Sequence, residues 1–296
     1  MARTTRRRLL KAAWGLAAGA VGAGVYARWI EPTWIETVER DLPVPHLPAG
    51  WDGVRVGLVA DLHHGRRVPL EYLAGGIDRL ASLKPDLVTA VGDFVTSGGM
   101  AYAEAIAGLM DRLSPPMGIF ACLGNHDYGV THRVSHAEAQ EVAGTLPAAG
   151  VRLLRNEAVR LERRGETLWL AGTEDFWSGR MDAAKALAAV PEGAATLALC
   201  HNPDAAEDLA DAGAGAILSG HTHGGQVQVP LVGPPILPVR NRDRYEGLHR
   251  VGEARLYINR GLGWLRKVRF GCRPEITILT LRRGASGAGG AAGPPV

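Results

Sequence analysis

Asp61-Leu62-His63, Gly92-Asp93, Gly124-Asn125-His126-Asp127, a lone His201 and Gly220-His221-Thr222-His223 bring carboxylate, amide and imidazole side chains into one ordered series. Carboxylate and imidazole without thiolate make a donor set for Mn, Fe or Zn and argue against calcium or copper(I). Two such cations about 3.5 to 4 Å apart can activate a shared water and clamp phosphoryl oxygens during in-line displacement. Gly92, Gly124 and Gly220 precede donors, where the chain must turn sharply and approach the site without a Cβ in the way. Each block follows an apolar run of strand length, namely Val54–Ala60, Leu87–Val91, Ile119–Leu123, Thr196–Cys200 and Ala216–Ser219. In an open α/β sheet, strand ends are where residues distant in sequence assemble a site. If Asp61 and His63 continue the extended strand, both point to one side.

Taken singly, each block reads equally well as a strand-end turn. All five in order resemble the calcineurin-like metallophosphoesterases, over roughly residues 51 to 283. Gly261-Leu262-Gly263 and the run Arg269-Phe270-Gly271-Cys272-Arg273-Pro274-Glu275-Ile276 resemble an exported bacterial branch of that family. The resemblance implies an α/β fold, a four-layer αββα sandwich of two mixed sheets. It also implies two divalent cations, with Asp61, His63 and His223 on one, Asn125, His201 and His221 on the other, and Asp93 bridging. His126 is then left over as a catalytic residue that stabilises the transition state or protonates the leaving oxygen, with Asp127 orienting its ring. The activity implied is phosphodiester hydrolysis. A pyrophosphohydrolase or phosphomonoesterase on a nucleotide- or lipid-linked substrate is one alternative, and a scaffold of the same fold without turnover is another.

The elements that must position these residues begin with a βαβαβ run: the first three strands, with helices near Leu70–Leu83 and Ala101–Leu113 between them. Ala158–Leu161 and Leu168–Ala171 read as a hairpin, Asp182–Val190 and Asp204–Ala212 as helices, and Gln226–Pro230, Arg255–Asn259 and Ile276–Leu281 as strands. Three further readings each carry a plainer rival. Glu174-Asp175 is either a carboxylate pair behind the metals or a turn. Asn259-Arg260 is either a phosphate contact or surface, and His64 either rims the pocket or lies on the surface.

Among the 33 basic and 30 acidic residues, six of the basic ones and none of the acidic fall in residues 1–28. Without them the chain holds 27 against 30, a net of −3, so the charge gives no ground for a nucleic-acid partner. The leader, Thr5-Arg6-Arg7-Arg8-Leu9-Leu10-Lys11 before uncharged Ala12–Ala27, resembles a twin-arginine export signal. The export machinery is then a partner, and the protein works in the cell envelope. Cleavage fits after Ala20 or after Ala27; uncleaved, residues 12–35 would associate with the membrane. Export of an already folded protein allows metal loading in the cytoplasm, which favours manganese, with iron and zinc as alternatives. Residues 29–50 read as a linker, 51–283 as the catalytic domain and 284–296 as a disordered tail. Cys122 and Cys200 are expected in buried strands, with no disulfide needed. Leu231-Val232-Gly233-Pro234-Pro235-Ile236-Leu237-Pro238 is too Pro-rich for a central strand; it is either a buried connection or an apolar loop that meets a lipid substrate.

Overall fold

The computed structural model describes residues 2–97, 99–129 and 134–284. The expected tail lies outside them from residue 285 onward, as does His132. Short runs such as Leu87–Val91 and Ala216–Ser219 are buried along their whole length, as strands covered on both faces must be. One sheet holds β1 (Glu36–Val44), β2 (Arg55–Val59), β3 (Leu87–Val91), β4 (Ile119–Cys122), β5 (Val151–Leu153) and β12 (Glu275–Arg283), in the order β1-β12-β2-β3-β4-β5. The other holds β6 (Glu157–Arg163), β7 (Glu166–Gly172), β8 (Thr196–Leu199), β9 (Ala216–Ser219), β10 (Gly247–Val251) and β11 (Ala254–Ile258), in the order β10-β11-β9-β8-β7-β6. Strands β2 to β5 run parallel, β12 is antiparallel to β2, and the second sheet is antiparallel at its two outer pairs.

Three apolar cores define the layers. Val56, Leu58 and Leu279 from one sheet meet Leu168, Leu197 and Leu218 from the other in the central core. Helices α2 (Leu70–Ser82), α3 (Met100–Met110) and α4 (His136–Thr145) cover the outer face of the first sheet, and α5 (Ala183–Leu187) and α6 (Ala206–Asp211) that of the second. This is the expected αββα sandwich. Leu73, Ile77 and Leu80 place one apolar stripe of α2 on the core. A Cβ on Gly76 of that stripe would come within 2.7 Å of Leu262, so the helix lies close to the loop behind the site.

Several boundaries depart from expectation. The presumed linker contains β1, whose register with β12 runs from Glu36↔Glu275 to Val44↔Arg283. Its charged residues and Pro43 hid it, and both are what an edge strand tolerates. Gln226–Pro230 is not a strand: it makes only isolated bridges, Val227 with Phe270 and Val229 with Gly233. Helix α4, capped by Ser135 accepting from the Glu138 amide at 3.3 Å, was not anticipated. The leader forms α1 (Ala2–Val25), and among the described residues no helix is long and apolar enough to cross a membrane. All three cysteines are free and buried.

Candidate metal centre

The donors lie just past the ends of β2, β3, β4, β8 and β9. Asp61, His63, Asp93, His221 and His223 all have left-handed backbones, with φ of 52°, 50°, 55°, 72° and 51°. Each such non-glycine residue costs on the order of 1 kcal/mol or more and persists only where its surroundings enforce it. Here the strand ends enforce it on one another: the Asp61 amide donates to Gly92 O (3.0 Å), the His63 amide to Asp93 O (2.9 Å) and the His221 amide to the Asp61 carboxylate (3.0 Å). Asp61 and His63 therefore converge through tight turns, not through the extended pleat that their spacing suggested. A Cβ on Gly92 would lie 2.6 Å from the Gly124 amide, and one on Gly220 2.7 Å from Ala60 Cβ, so the loops could not close with alanine there.

All seven expected ligands are buried. His63 Nε2 and His223 Nε2 lie 3.0 Å apart. Asp61 Oδ1 is 3.4 Å from His223 Nε2 and 3.9 Å from His201 Nε2; Asp93 Oδ2 is 3.1 Å from His201 Nε2 and 3.4 Å from His63 Nε2. Asn125 Oδ1 sits 2.8 Å from His221 Nδ1. Asp61, His63 and His223 form one group able to hold a cation, Asp61, Asp93 and His201 a second, and His63, Asp93 and His126 a third.

His201 tests the fit. Its Nδ1 faces Val91 O at 2.8 Å and so carries the proton, while Nε2, without a hydrogen-bond partner, points at two carboxylates. A lone pair facing anionic oxygens requires positive charge at that point. Burial opposes a protonated His201, yet Asp93 and Asp61 raise its pKa to about 10. A divalent cation meets the same demand. Burial lowers His63 and His221 to about 3 and holds His223 well below its ordinary value, leaving these imidazoles neutral, the form that binds metal. Burial also raises Asp61 to about 7.

Asp127 does not orient the His126 ring. Its Oδ2 accepts from the Gly124 and Asp93 amides (both 2.9 Å) and its Oδ1 from Phe94 (2.8 Å) and Val95 (3.2 Å), so it ties the two donor loops together. Burial pushes its pKa up to about 8. Four N–H donors nevertheless occupy its acceptor sites and leave no place for a proton, so the ionised form fits. The His126 ring is held instead at Nδ1, 2.9 Å from Thr96 O, and its amide donates to Asp93 Oδ1 (2.7 Å).

Of the three pairs of alternatives only Asp175 takes the plainer part, as a turn residue; Asn259 is buried and Arg260 mostly so, not on the surface. Arg260 pairs with Glu275 (2.6 Å) and Glu36 (2.8 Å), and Asn259 donates to Thr277 (2.8 Å). Glu174 accepts from Tyr128 and Arg155, and Asp175 closes a turn on the Ser178 amide (2.6 Å). His64 is buried, neither rim nor surface, with Nδ1 3.1 Å from Val68 O. Sequence reasoning missed Arg269, fully buried, whose guanidinium donates to the carbonyls of Arg260, Gly261 and Gly263 at 2.8 to 3.0 Å. That loop supports the site, since the Gly263 amide donates to Asp61 O at 2.7 Å. Trp177, edge-on to His221 at 4.5 Å between centroids, was also missed. Arg269 stands in the run of residues 269–276, but nothing in that run showed what its side chain holds, and no motif marked Trp177.

The family profile for calcineurin-like phosphoesterases matches residues 54–225. The phosphodiesterase YaeI of Escherichia coli is 35% identical over 277 residues, 94% of this chain and 99% of that protein. An uncharacterized metallophosphoesterase of Bacillus subtilis, YkuE, is 34% identical over 289 residues, 95% of this chain and 99% of its own length. The UDP-2,3-diacylglucosamine pyrophosphatase LpxG of Chlamydia trachomatis is 28% identical over 301 residues, 86% and 92% of the respective chains.

Proposed function

We propose, for a chain that belongs to the calcineurin-like phosphoesterase family, a binuclear phosphodiesterase that works outside the cytoplasmic membrane. The family and its phosphodiesterase- and pyrophosphatase-named members make the chain a metal-dependent hydrolase of phosphoric esters. The finer reading is carried by His201, whose unpartnered Nε2 faces Asp93 and Asp61 in the middle of the buried donor cluster. In this reading Asp61, His63 and His223 would hold one cation and Asn125, His201 and His221 the other, with Asp93 shared between them through Oδ2, which lies near both His63 and His201. When bound, the cations acidify water and neutralise phosphoryl oxygens. Asp127 keeps the Asp93 and Asn125 loops at fixed separation through its four amide contacts. His126 stands outside both donor sets, its ring fixed at Nδ1 by Thr96 O. With Nδ1 turned to Thr96 O, Nε2 is the free ring atom, placed to stabilise the transition state or to pass a proton to the leaving oxygen.

The leader over residues 1–28 supports export by the twin-arginine route, and loading before export supports manganese ahead of iron or zinc. The catalytic domain runs to residue 283 and takes β1 into its first sheet. A lipid-linked pyrophosphate is the second reading. It is favoured by the name of the chlamydial relative and by Leu231, Val232 and Ile236, which stand exposed on the loop after the last donors. The test is a hydrolysis screen with manganese-loaded protein on soluble diesters, monoesters and pyrophosphates. Turnover confined to monoesters would overturn the diester reading, and turnover confined to pyrophosphates would install the second one.

A further inference from the structure

The root of α1 is built into the body. Ala27 is buried and its carbonyl accepts from the Arg269 amide at 2.9 Å. Glu31, 1% exposed, accepts from the amides of Gly271 and Cys272. Tyr26 packs edge-on against Phe270, and the Arg273 guanidinium lies 4.2 Å from the Trp34 ring centroid. Beside this root opens a cleft of about 630 Å³ lined by Arg28, Arg67, Arg266, Lys267, Trp264 and Val268. Among the described residues, none of these four cations pairs with a carboxylate. Arg67 donates only to Leu265 O, Lys267 lies over the Trp264 ring and Arg28 over that of Trp29. Four like charges around a concave surface repel one another unless an anion sits among them.

Apolar side chains stand out from the same region. Trp29 and Ile30 are exposed beside Arg28, and Trp14, Leu16, Val21 and Val25 are exposed along α1. The loop with exposed Leu231, Val232 and Ile236 leaves the body at Gln226, whose side chain donates to Arg266 O (2.9 Å) and Val268 O (3.0 Å). Guanidinium and ammonium groups for phosphate, Trp at the boundary and aliphatic side chains beyond are the groups that suit the surface of an anionic bilayer.

We propose that the cleft of Arg28, Arg67, Arg266 and Lys267 binds the headgroup phosphate of an anionic phospholipid and seats the domain on the membrane with its metal centre beside the bilayer. Arg67 follows His63 by four residues, and the Trp264 indole donates to Arg67 O (3.2 Å) while its ring packs in the same core as Leu62. One loop thus separates the lipid phosphate from the donor cluster. The seat does not depend on which ester is cleaved, so it stands or falls apart from the catalytic reading.

The experiment is co-flotation of the full chain with vesicles of phosphatidylglycerol in phosphatidylcholine and with pure phosphatidylcholine. At about fivefold per cation near an anionic surface, Arg28→Gln/Arg266→Gln/Lys267→Gln should weaken binding to the anionic vesicles about a hundredfold. The same variant should keep its turnover of a soluble diester. Arg28→Lys/Arg266→Lys/Lys267→Arg should retain vesicle binding. Equal binding of the Gln variant and the unaltered chain would overturn the proposal, as would equal binding to neutral vesicles or loss in the charge-conserving variant. Binding of millimolar inorganic phosphate by the full chain without flotation on the anionic vesicles would make the cleft a soluble-anion site and overturn it too.

Discussion

Replacing Asp127 by Asn removes one atom's acceptor capacity and almost no volume. The carboxylate divides four backbone N–H groups evenly, with Gly124 and Asp93 on Oδ2 and Phe94 and Val95 on Oδ1. An amide keeps one oxygen, so whichever way it turns, two buried N–H groups face an NH2 donor. A buried donor left without its acceptor costs about 1 to 3 kcal/mol, so the pair costs about 4 kcal/mol. That is a large fraction of the stability of a typical domain, about 5 to 15 kcal/mol. At about 2 to 4 °C per kcal/mol for a domain of this size, Tm should fall by about 10 °C. Scanning calorimetry with chelator present reads this effect without any contribution from metal binding. A Tm within about 2 °C of the unaltered chain would refute the idea that Asp127 ties the two loops together. His126→Ala serves as the control. If Asp127 acted only through the His126 ring, the two variants would melt alike; here Asp127→Asn should melt well below His126→Ala.

His126→Ala should retain two metals per chain yet lose about 10²- to 10⁴-fold in kcat, as for a missing acid; loss of metal by atomic absorption would make His126 a ligand instead. Metal affinity should rise with pH, because raised folded-state pKa values mean that protons must leave as the cation enters. With His201 near 10 and Asp61 near 7, affinity should climb about tenfold per unit between pH 7 and 9 and more steeply below 7. A flat profile in chelator competition would contradict the protonation states assigned to the metal-free cluster. Changing Arg6, Arg7 and Arg8 to Lys should trap the protein in the cytoplasm with its turnover intact; unchanged export on fractionation would remove the twin-arginine reading.

The candidate donors could be singled out because metal chemistry restricts residue types and because each sits directly after a short apolar run, and the structure gathers them in one buried cluster. The ends of those strands matched closely, as at Leu87–Val91 and Ala216–Ser219. Two kinds of feature escaped. Strand β1 carries Glu36, Glu39, Arg40, Asp41 and Pro43, and only its partner β12 makes it a strand, so local pattern could not mark it. Asp127 and Arg269 act through main-chain groups of other loops, which leave no residue-type signature. The pairing of Asp127 with His126, adjacent in sequence, was plausible chemistry, but neighbours in a tight turn do not face each other. The left-handed backbone at five donors was equally hidden, because Asp and His give no local sign of a strain that distant hydrogen bonds enforce.

Metal-free protein titrated with manganese, with hydrolysis of a soluble phosphodiester followed at each addition, addresses the binuclear assignment itself. Activity should be absent after chelation and reach its plateau at two equivalents per chain. It should not appear at any equivalence in Asp93→Asn, which removes the shared carboxylate. A plateau at one equivalent, or hydrolysis that survives chelation, would contradict the assignment.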